Sequence, residues 1–157
     1  MKILLSGIII LISLTSAFAQ SKRIGTFPFE KMDGHHAVKI IFSTKPFQRS
    51  EHTITGDDKY QTRVDRRLAI GTDGNIPSVE IASMKLYFYG KEMKIPSRLY
   101  SDCYEPNFDN RSVTIKFGHN FQSVIVSMAG SDGAGGYEVI WRLRKNGHHT
   151  RSISQGF

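Results

Sequence analysis

Two pairs of adjacent histidines are the first residues of the sequence that could do chemistry. They are His35-His36 and His148-His149, and imidazole nitrogen is a common ligand for zinc and other transition metals. Adjacent residues of a strand point to opposite faces, so His148 and His149 cannot chelate one ion from within a strand. His35-His36 lies in a predicted loop, where both rings could reach a common ion. Two histidines alone do not make a metal site, and we predict none.

Other patterns that carry chemistry are incomplete. The segment Ala129-Gly130-Ser131-Asp132-Gly133 has Ala where a nucleophile elbow needs its first Gly, and it lies between predicted strands. No phosphate-binding G-x-x-x-x-G-K-[ST] loop is present. One acidic stretch offers oxygen ligands whose spacing departs from the EF-hand pattern: Asp102, Glu105, Asn107, Asp109 and Asn110. We therefore predict no local catalytic residues and no cofactor, which favours a non-catalytic role.

The single cysteine has no partner for an intramolecular disulfide. Cys103 is the only cysteine among the 157 residues, so the fold must be stable through its core, without an intramolecular disulfide. We predict a buried, unreactive thiol that packs as a small apolar residue. A sequon at Asn110-Arg111-Ser112 would accept a glycan only in a eukaryotic host.

The sequence Asn146-Gly147 predicts a tight hairpin near the C terminus. Asn-Gly is the preferred pair for a two-residue type I′ turn, because both central residues of that turn need positive φ. Counting outward from this turn pairs Arg144 with His149 and Arg142 with Arg151. Since alternate residues of a strand share a face, all four side chains would lie on one surface of the sheet.

This predicted basic face is the candidate binding site of the sequence. The segment 137–157 carries four Lys or Arg and one Glu, or +3 of the net charge of +7. An anion bridging the Arg142 and Arg151 pair would relieve their repulsion, whereas a solvated face would only discourage edge-to-edge aggregation. We hypothesise that Arg142, Arg144, His149 and Arg151 bind an anionic polymer or a lipid head group. A protein partner stays open. We expect no natural nucleic-acid partner, because residues 1–19 have the features of a secretory signal peptide and predict export.

Alternating apolar and polar residues predict strands along most of the chain. The predicted strands cover residues 38–42, 62–70, 79–89, 93–95, 111–117, 121–128 and 137–143. In the strand 79–89, Ala82, Met84, Leu86 and Phe88 should share one face. Only residues 97–106 read as helical, for one or two turns. Many short strands with frequent turn signals favour an antiparallel β-sandwich of about 8–10 strands, with a small β-barrel as the alternative.

The first 19 residues have the features of a secretory signal peptide. Lys2 is followed by a largely apolar run from Ile3 to Leu14, and Ala17-Phe18-Ala19 supplies the small-x-small cleavage pattern. We predict a cleaved signal peptide over 1–19 and a single β-rich domain over 20–157. No later run is long and apolar enough to span a membrane. The mature chain should therefore be exported, to a periplasm or outside the cell.

Three functions remain open from the sequence. The first is a small exported β-sandwich that acts as a non-catalytic binding or accessory protein. The second is a secreted enzyme whose active site is assembled only in three dimensions. The third is a structural or assembly subunit of an envelope, which would show an unpaired sheet edge or a large apolar patch.

Overall fold

The computed structural model describes residues 24–56, 62–109, 111–131 and 133–156. The predicted signal peptide and Asn110 lie outside these residues. Within them the chain forms eleven β-strands and four three-residue 3-10 segments, so the predicted all-β fold is confirmed. In chain order the strands are β1 (Gly25–Asp33), β2 (His36–Pro46), β3 (Ile54–Thr55), β4 (Arg63–Val64), β5 (Arg67–Leu68), β6 (Val79–Phe88), β7 (Lys91–Lys94), β8 (Val113–Phe117), β9 (Ser123–Gly130), β10 (Tyr137–Arg144) and β11 (Thr150–Gln155).

Two four-stranded antiparallel sheets enclose the core. The first sheet has the strand order β1-β2-β6-β7, and the second sheet has the order β11-β10-β9-β8. A small third sheet consists of β3, β4 and β5. Neither large sheet closes on itself within the described residues, so the architecture is a sandwich and not the alternative barrel. In the same part of the chain, no helix is long and apolar enough to cross a membrane.

The core is built from the facing sides of both sheets. Trp141 and Leu143 of β10 are fully buried, as their alternation predicts, and so are Phe42 and Ile40 of β2. The ring centroids of Trp141 and Phe42 lie 5.6 Å apart. Burial of an apolar side chain as large as Phe42 stabilises the fold by about 1.5–3 kcal/mol. The indole N–H of Trp141 donates to the Leu99 carbonyl at 2.7 Å, which satisfies its polar atom inside the core.

A β-bulge in β6 overturns part of the predicted strand pattern. Ser43 pairs with Ser83 and Thr44 pairs with Ile81, so Ala82 is an extra residue on β6. An extra residue reverses the alternation of the strand beyond it. Ala82 is therefore exposed, whereas Ile81 and Val79 are buried in its place.

The predicted strand over 62–70 is two short strands joined by a tight turn. Asp65 and Arg66 both have positive φ, 51° and 68°, and they connect β4 to β5. Positive φ at both central residues defines a type I′ turn, which rarely forms without Gly or Asn. The predicted helical segment over 97–106 is likewise reduced to one 3-10 turn at Ser97–Leu99.

The C-terminal hairpin forms, but its predicted register is wrong by one residue. Trp141 pairs with Arg151, and Arg142 pairs with Thr150 instead of Arg151. The Gly147 N–H donates to the Arg144 carbonyl at 3.1 Å, and Gly147 has a φ of 82° while Asn146 is not among the positive-φ residues. The connection is thus a turn that ends on a left-handed glycine. It has one residue more than the predicted two-residue type I′ turn.

Candidate functional site

The observed register separates the four residues of the predicted basic face. Residues paired across an antiparallel ladder point to the same side, so Arg151 lies on the core side with Trp141. His149 is also turned inward and is 7% exposed. Arg142 remains exposed on the opposite face, and Arg144 is half-buried there. The structure therefore leaves Arg142 and Arg144 on the outer face and turns the side chains of Arg151 and His149 toward the core side.

Arg151 belongs to a buried ionic network centred on Asp102. The Arg151 guanidinium donates to both carboxylate oxygens of Asp102, with Nη2 2.6 Å from Oδ2. Arg67 Nη2 lies 2.5 Å from the same Oδ2. The Asp102 side chain is only 8% exposed. Two guanidiniums thus hold one buried carboxylate and attach β11 to the segment around Leu99, which is a structural arrangement.

Cys103 lies next to this network and is fully buried. Burial is the main cause that raises the pKa of its thiol to about 12, and the neighbouring Asp102 charge acts in the same direction. Arg67 and Arg151 oppose that shift without cancelling it. Because the thiolate is the reactive form, the position of Cys103 agrees with the predicted inert thiol.

A hydrogen bond with the backbone of Arg144 defines the tautomer of His149. Its Nδ1 accepts from the Arg144 backbone N–H at 3.2 Å, so the proton of the neutral ring lies on Nε2. Burial lowers the pKa of His149, and the nearby Arg144 charge adds to this effect. His149 is therefore poorly suited to supply positive charge to an anion site near pH 6.5.

His36 is part of an aromatic cluster at the end of the sandwich that holds the β6–β7 turn. Its ring stacks on Phe121 with centroids 3.6 Å apart, and its Nδ1 is hydrogen-bonded to the Tyr89 hydroxyl. Lys145 Nζ lies 4.7 Å from the centre of the Tyr89 ring. His36 thus has aromatic and hydroxyl partners, and it is not part of the group of three metal-ligating side chains found among the described residues.

A cluster of ionisable side chains that the sequence analysis did not single out lies between β2, β6 and the small third sheet. Its members come from β2, from the 3-10 turn at Arg49–Glu51 and the residue after it, from the β4–β5 turn and from β6. They are Lys45, Glu51, His52, Asp65 and Glu80. We call this set the His52 cluster. Ligand atoms of Glu51, His52 and Glu80 all lie within 4.8 Å of one another. It is the group among the described residues whose chemistry suits a metal ion.

His52 lies between two carboxylates in this cluster. Its Nδ1 is 2.7 Å from Asp65 Oδ2, and its Nε2 is 3.1 Å from Glu80 Oε2. Phe47 stacks on the imidazole with centroids 4.6 Å apart and an interplanar angle of 11°, which fixes the orientation of the ring. The hydrogen bond with His52 lowers the pKa of Asp65, as does the Thr53 backbone N–H. The type I′ turn described above places Asp65 against His52.

Lys45 contributes a cation at the edge of the same cluster. Its Nζ is 2.6 Å from Glu51 Oε2 and 3.0 Å from Glu80 Oε1. Glu80 is nearly buried, with 9% of its side chain exposed, whereas 54% of the Glu51 side chain is exposed. The hydrogen bond with Lys45 lowers the pKa of Glu51. The cluster is therefore open to solvent on its Glu51 side.

A groove lies on the outer face of the first sheet. Its volume is about 400 Å³. The floor and walls are mainly apolar, and Met32 on its rim is 63% exposed. Glu30 and Lys39 form an ion pair at the edge, 2.7 Å apart. We call this feature the groove, and its lining residues are Glu30, Met32, Ala37, Val38, Lys39, Ile41, Tyr87 and Gly90.

Neither the His52 cluster nor the groove has a local sequence motif. His52 and Glu80 are 28 positions apart in the chain. The pairing of Lys45 with Glu80 brings the end of β2, and the segment that follows it, beside β6. Apart from the buried Val38 and the turn residue Gly90, the groove is lined by outward-facing residues of β1, β2 and β6, which a strand pattern predicts to be solvated. No family model, no curated protein and no solved structure matches this chain.

Proposed function

We propose that this chain is a small exported, non-catalytic binding protein, and that the groove is its ligand site. The observation that carries the proposal is an apolar cavity of about 400 Å³ on a sheet face. Small-molecule sites are clefts of about 300–1,000 Å³ with apolar walls and a few polar groups. The ligand we propose is a small amphipathic molecule, with its apolar part on Met32, Ala37 and Ile41 and its polar part at the Glu30 and Lys39 pair.

The support for export is the pattern of Met1–Ala19. N-terminal sequencing of material recovered outside the cytoplasm tests it, with Gln20 as the expected first residue. Recovery of an intact Met1 form in the membrane fraction would contradict it.

The groove can be tested with a fluorescent amphipathic probe. The substitution Ala37→Trp places an indole on the floor of the groove, and Ile140→Trp places one on the exposed face of the second sheet as a control. Anilinonaphthalene sulfonate should gain fluorescence with the parent and with Ile140→Trp, and the gain should fall at least fivefold with Ala37→Trp. Circular dichroism and gel filtration verify that each variant is folded and unchanged in size. An equal gain with all three proteins would refute the groove as a ligand site.

A second candidate function is binding of an anionic polymer or lipid head group by the second sheet. The outer face of its strands carries Lys116, Arg142 and Arg144 against Glu138. Lys116 and Arg142 both pair with Ile125, from opposite sides of β9. This face retains Arg142 and Arg144 of the sequence hypothesis and gains a lysine from β8.

Heparin chromatography distinguishes this second function from a merely solvated surface. The double substitution Arg142→Ser and Arg144→Ser should elute at lower salt than the parent, because it removes two positive charges that would contact the sulfated polymer. Salt elutes the protein because it screens such contacts, over about 8 Å at physiological ionic strength. The control, Lys31→Ser with Lys85→Ser, removes the same charge from the first sheet and should elute at higher salt than the arginine variant. Coincident elution of the two double variants would show that only net charge matters. Vesicles with and without anionic lipid then separate a head group from a polymer.

A further inference from the structure

We infer that Glu51, His52 and Glu80 form a binding site for a divalent transition-metal ion such as Zn²⁺, separate from the groove. The three side chains converge from the 3-10 turn Arg49–Glu51, the residue after it, and β6. A combination of imidazole nitrogen and carboxylate oxygen suits Zn²⁺ and related ions better than Ca²⁺ or Mg²⁺, which prefer oxygen alone.

Two buried atoms aimed into this cluster form no hydrogen bond. They are His52 Nε2 and Glu80 Oε1. Both lie at ion-pair distance from another group, 3.1 Å from Glu80 Oε2 and 3.0 Å from Lys45 Nζ, but not in hydrogen-bond geometry. Buried polar atoms are nearly always hydrogen-bonded. Each of the two atoms is held only by an ion pair, and a cation bound between them would give both a direct ligand bond.

The distances between the candidate ligands agree with that interpretation. Metal–ligand bonds of about 2.0 Å in a tetrahedral zinc site place neighbouring ligand atoms about 3.3 Å apart. The observed separation of His52 Nε2 and Glu80 Oε2 is 3.1 Å. The ligand atom of Glu51 lies within 4.8 Å of those of His52 and Glu80, and 54% of the Glu51 side chain is exposed to solvent.

Asp65 provides the outer support that metal-binding histidines have. Such a histidine usually donates its other ring N–H to a carboxylate, which fixes the tautomer and raises the basicity of the ligand nitrogen. Asp65 Oδ2 lies 2.7 Å from His52 Nδ1, so the proton of a neutral ring is held on Nδ1. That tautomer leaves the lone pair of Nε2 directed at Glu80.

The charges of the cluster also match a divalent ion. Three carboxylates and one ammonium give a net charge of −2 when His52 is neutral, and a divalent ion brings that sum to zero. Lys45 Nζ lies among the same oxygens and, with 43% of its side chain exposed, it has room to swing into solvent. We therefore expect Lys45 to be a competitor of the ion and not a ligand.

Competition between Lys45 and the ion can be measured by metal titration. The purified protein is stripped with a chelator and titrated with Zn²⁺ by calorimetry and with Co²⁺ by absorption. We expect one site per chain. His52→Gln and Glu80→Gln should weaken binding at least tenfold, and Lys45→Met should tighten it about threefold or more, because the substitution removes the competing charge.

Matched controls separate this site from adventitious binding. His148→Gln removes an exposed histidine, and Lys85→Met removes an exposed lysine of β6, the strand that carries Glu80; neither should change the affinity. Circular dichroism identifies any variant that fails to fold, and Lys45→Met gives a gain of affinity that misfolding cannot mimic. Unchanged Zn²⁺ affinity in His52→Gln, or no gain in Lys45→Met relative to Lys85→Met, would overturn the inference. Both outcomes are independent of probe binding in the groove.

Discussion

Asp102 attaches the C-terminal strand to the rest of the fold through its ion pair with Arg151. Its carboxylate is 8% exposed and accepts hydrogen bonds from Arg67 and Arg151. Replacing it by Asn leaves two guanidiniums without a counter-charge, and removing one partner of a buried ion pair costs about 3–5 kcal/mol.

We expect Asp102→Asn to lower the free energy of unfolding by about 3 kcal/mol, since Arg67 is partly solvated. Urea unfolding measures this change, and the exposed Asp33→Asn is the control. A shift no larger than that of the control would mean that the network does not stabilise the fold.

Cys103 should react only when the protein opens. Its thiol is fully buried, and burial raises its pKa to about 12, so almost no thiolate is present at pH 8. Labelling with a disulfide reagent should be at least a hundredfold slower for the folded protein than in urea. Rapid labelling without denaturant, or a covalent dimer on a non-reducing gel, would contradict the burial of this side chain.

At the scale of elements, the two residues of the C-terminal turn should differ in their tolerance of substitution. Gly147 has a φ of 82°, and Asn146 is not in the left-handed region. Gly147→Ala should destabilise the protein by about 1 kcal/mol, because left-handed backbone is unfavourable for a residue with a Cβ. Asn146→Ala should have a smaller effect. Equal losses in thermal unfolding would favour the type I′ turn that the sequence alone suggests.

The register of this hairpin shows what a local pattern can and cannot predict. Alternation identifies β10 and its buried Trp141, because one face of the strand is apolar throughout. Register depends on distant partners. The observed pairing lets Ile153 pack against the core and lets Arg151 reach Asp102, and these gains outweigh the preference of Asn-Gly for a two-residue turn.

The bulge in β6 limits sequence prediction in the same way. Ala82 continues the alternation of Met84, so the sequence contains no sign that it is the extra residue. The bulge is defined by the pairing of Ser43 with Ser83 and of Thr44 with Ile81. The hydrophobic pattern of one strand cannot reveal a bulge, because a bulge is a difference in the number of residues between two paired strands.

For the whole molecule, the sandwich was predictable and the candidate sites were not. Frequent turns and short alternating strands leave few architectures, which is why the fold class follows from the sequence. His52, Asp65 and Glu80 meet through β2–β6 pairing and a type I′ turn without glycine, neither of which a local pattern contains. The groove likewise forms only when β1, β2 and β6 are paired in one sheet.

The pH dependence of stability is a property of the whole molecule that follows from a few shifted groups. Burial lowers the pKa of His149 below its usual 6.5 in the folded state. Between these two pKa values the unfolded chain binds more protons than the folded one, so stability falls as the pH drops below about 6.5. Hydrogen bonds lower the pKa values of Asp65 and Asp109. Protonation of these carboxylates therefore destabilises the fold further, but only below about pH 4.5.

The contribution of His149 can be isolated by substitution. The amide oxygen of His149→Gln can still accept from the Arg144 N–H but takes up no proton, so the decline in unfolding free energy between pH 7.5 and pH 5.5 should become shallower than in the parent. His148→Gln, a change at the exposed neighbouring histidine, should keep the slope of the parent. Urea unfolding at four pH values in this range measures the slopes. A slope in His149→Gln equal to that of the parent would show that the buried imidazole does not govern the acid sensitivity of the fold.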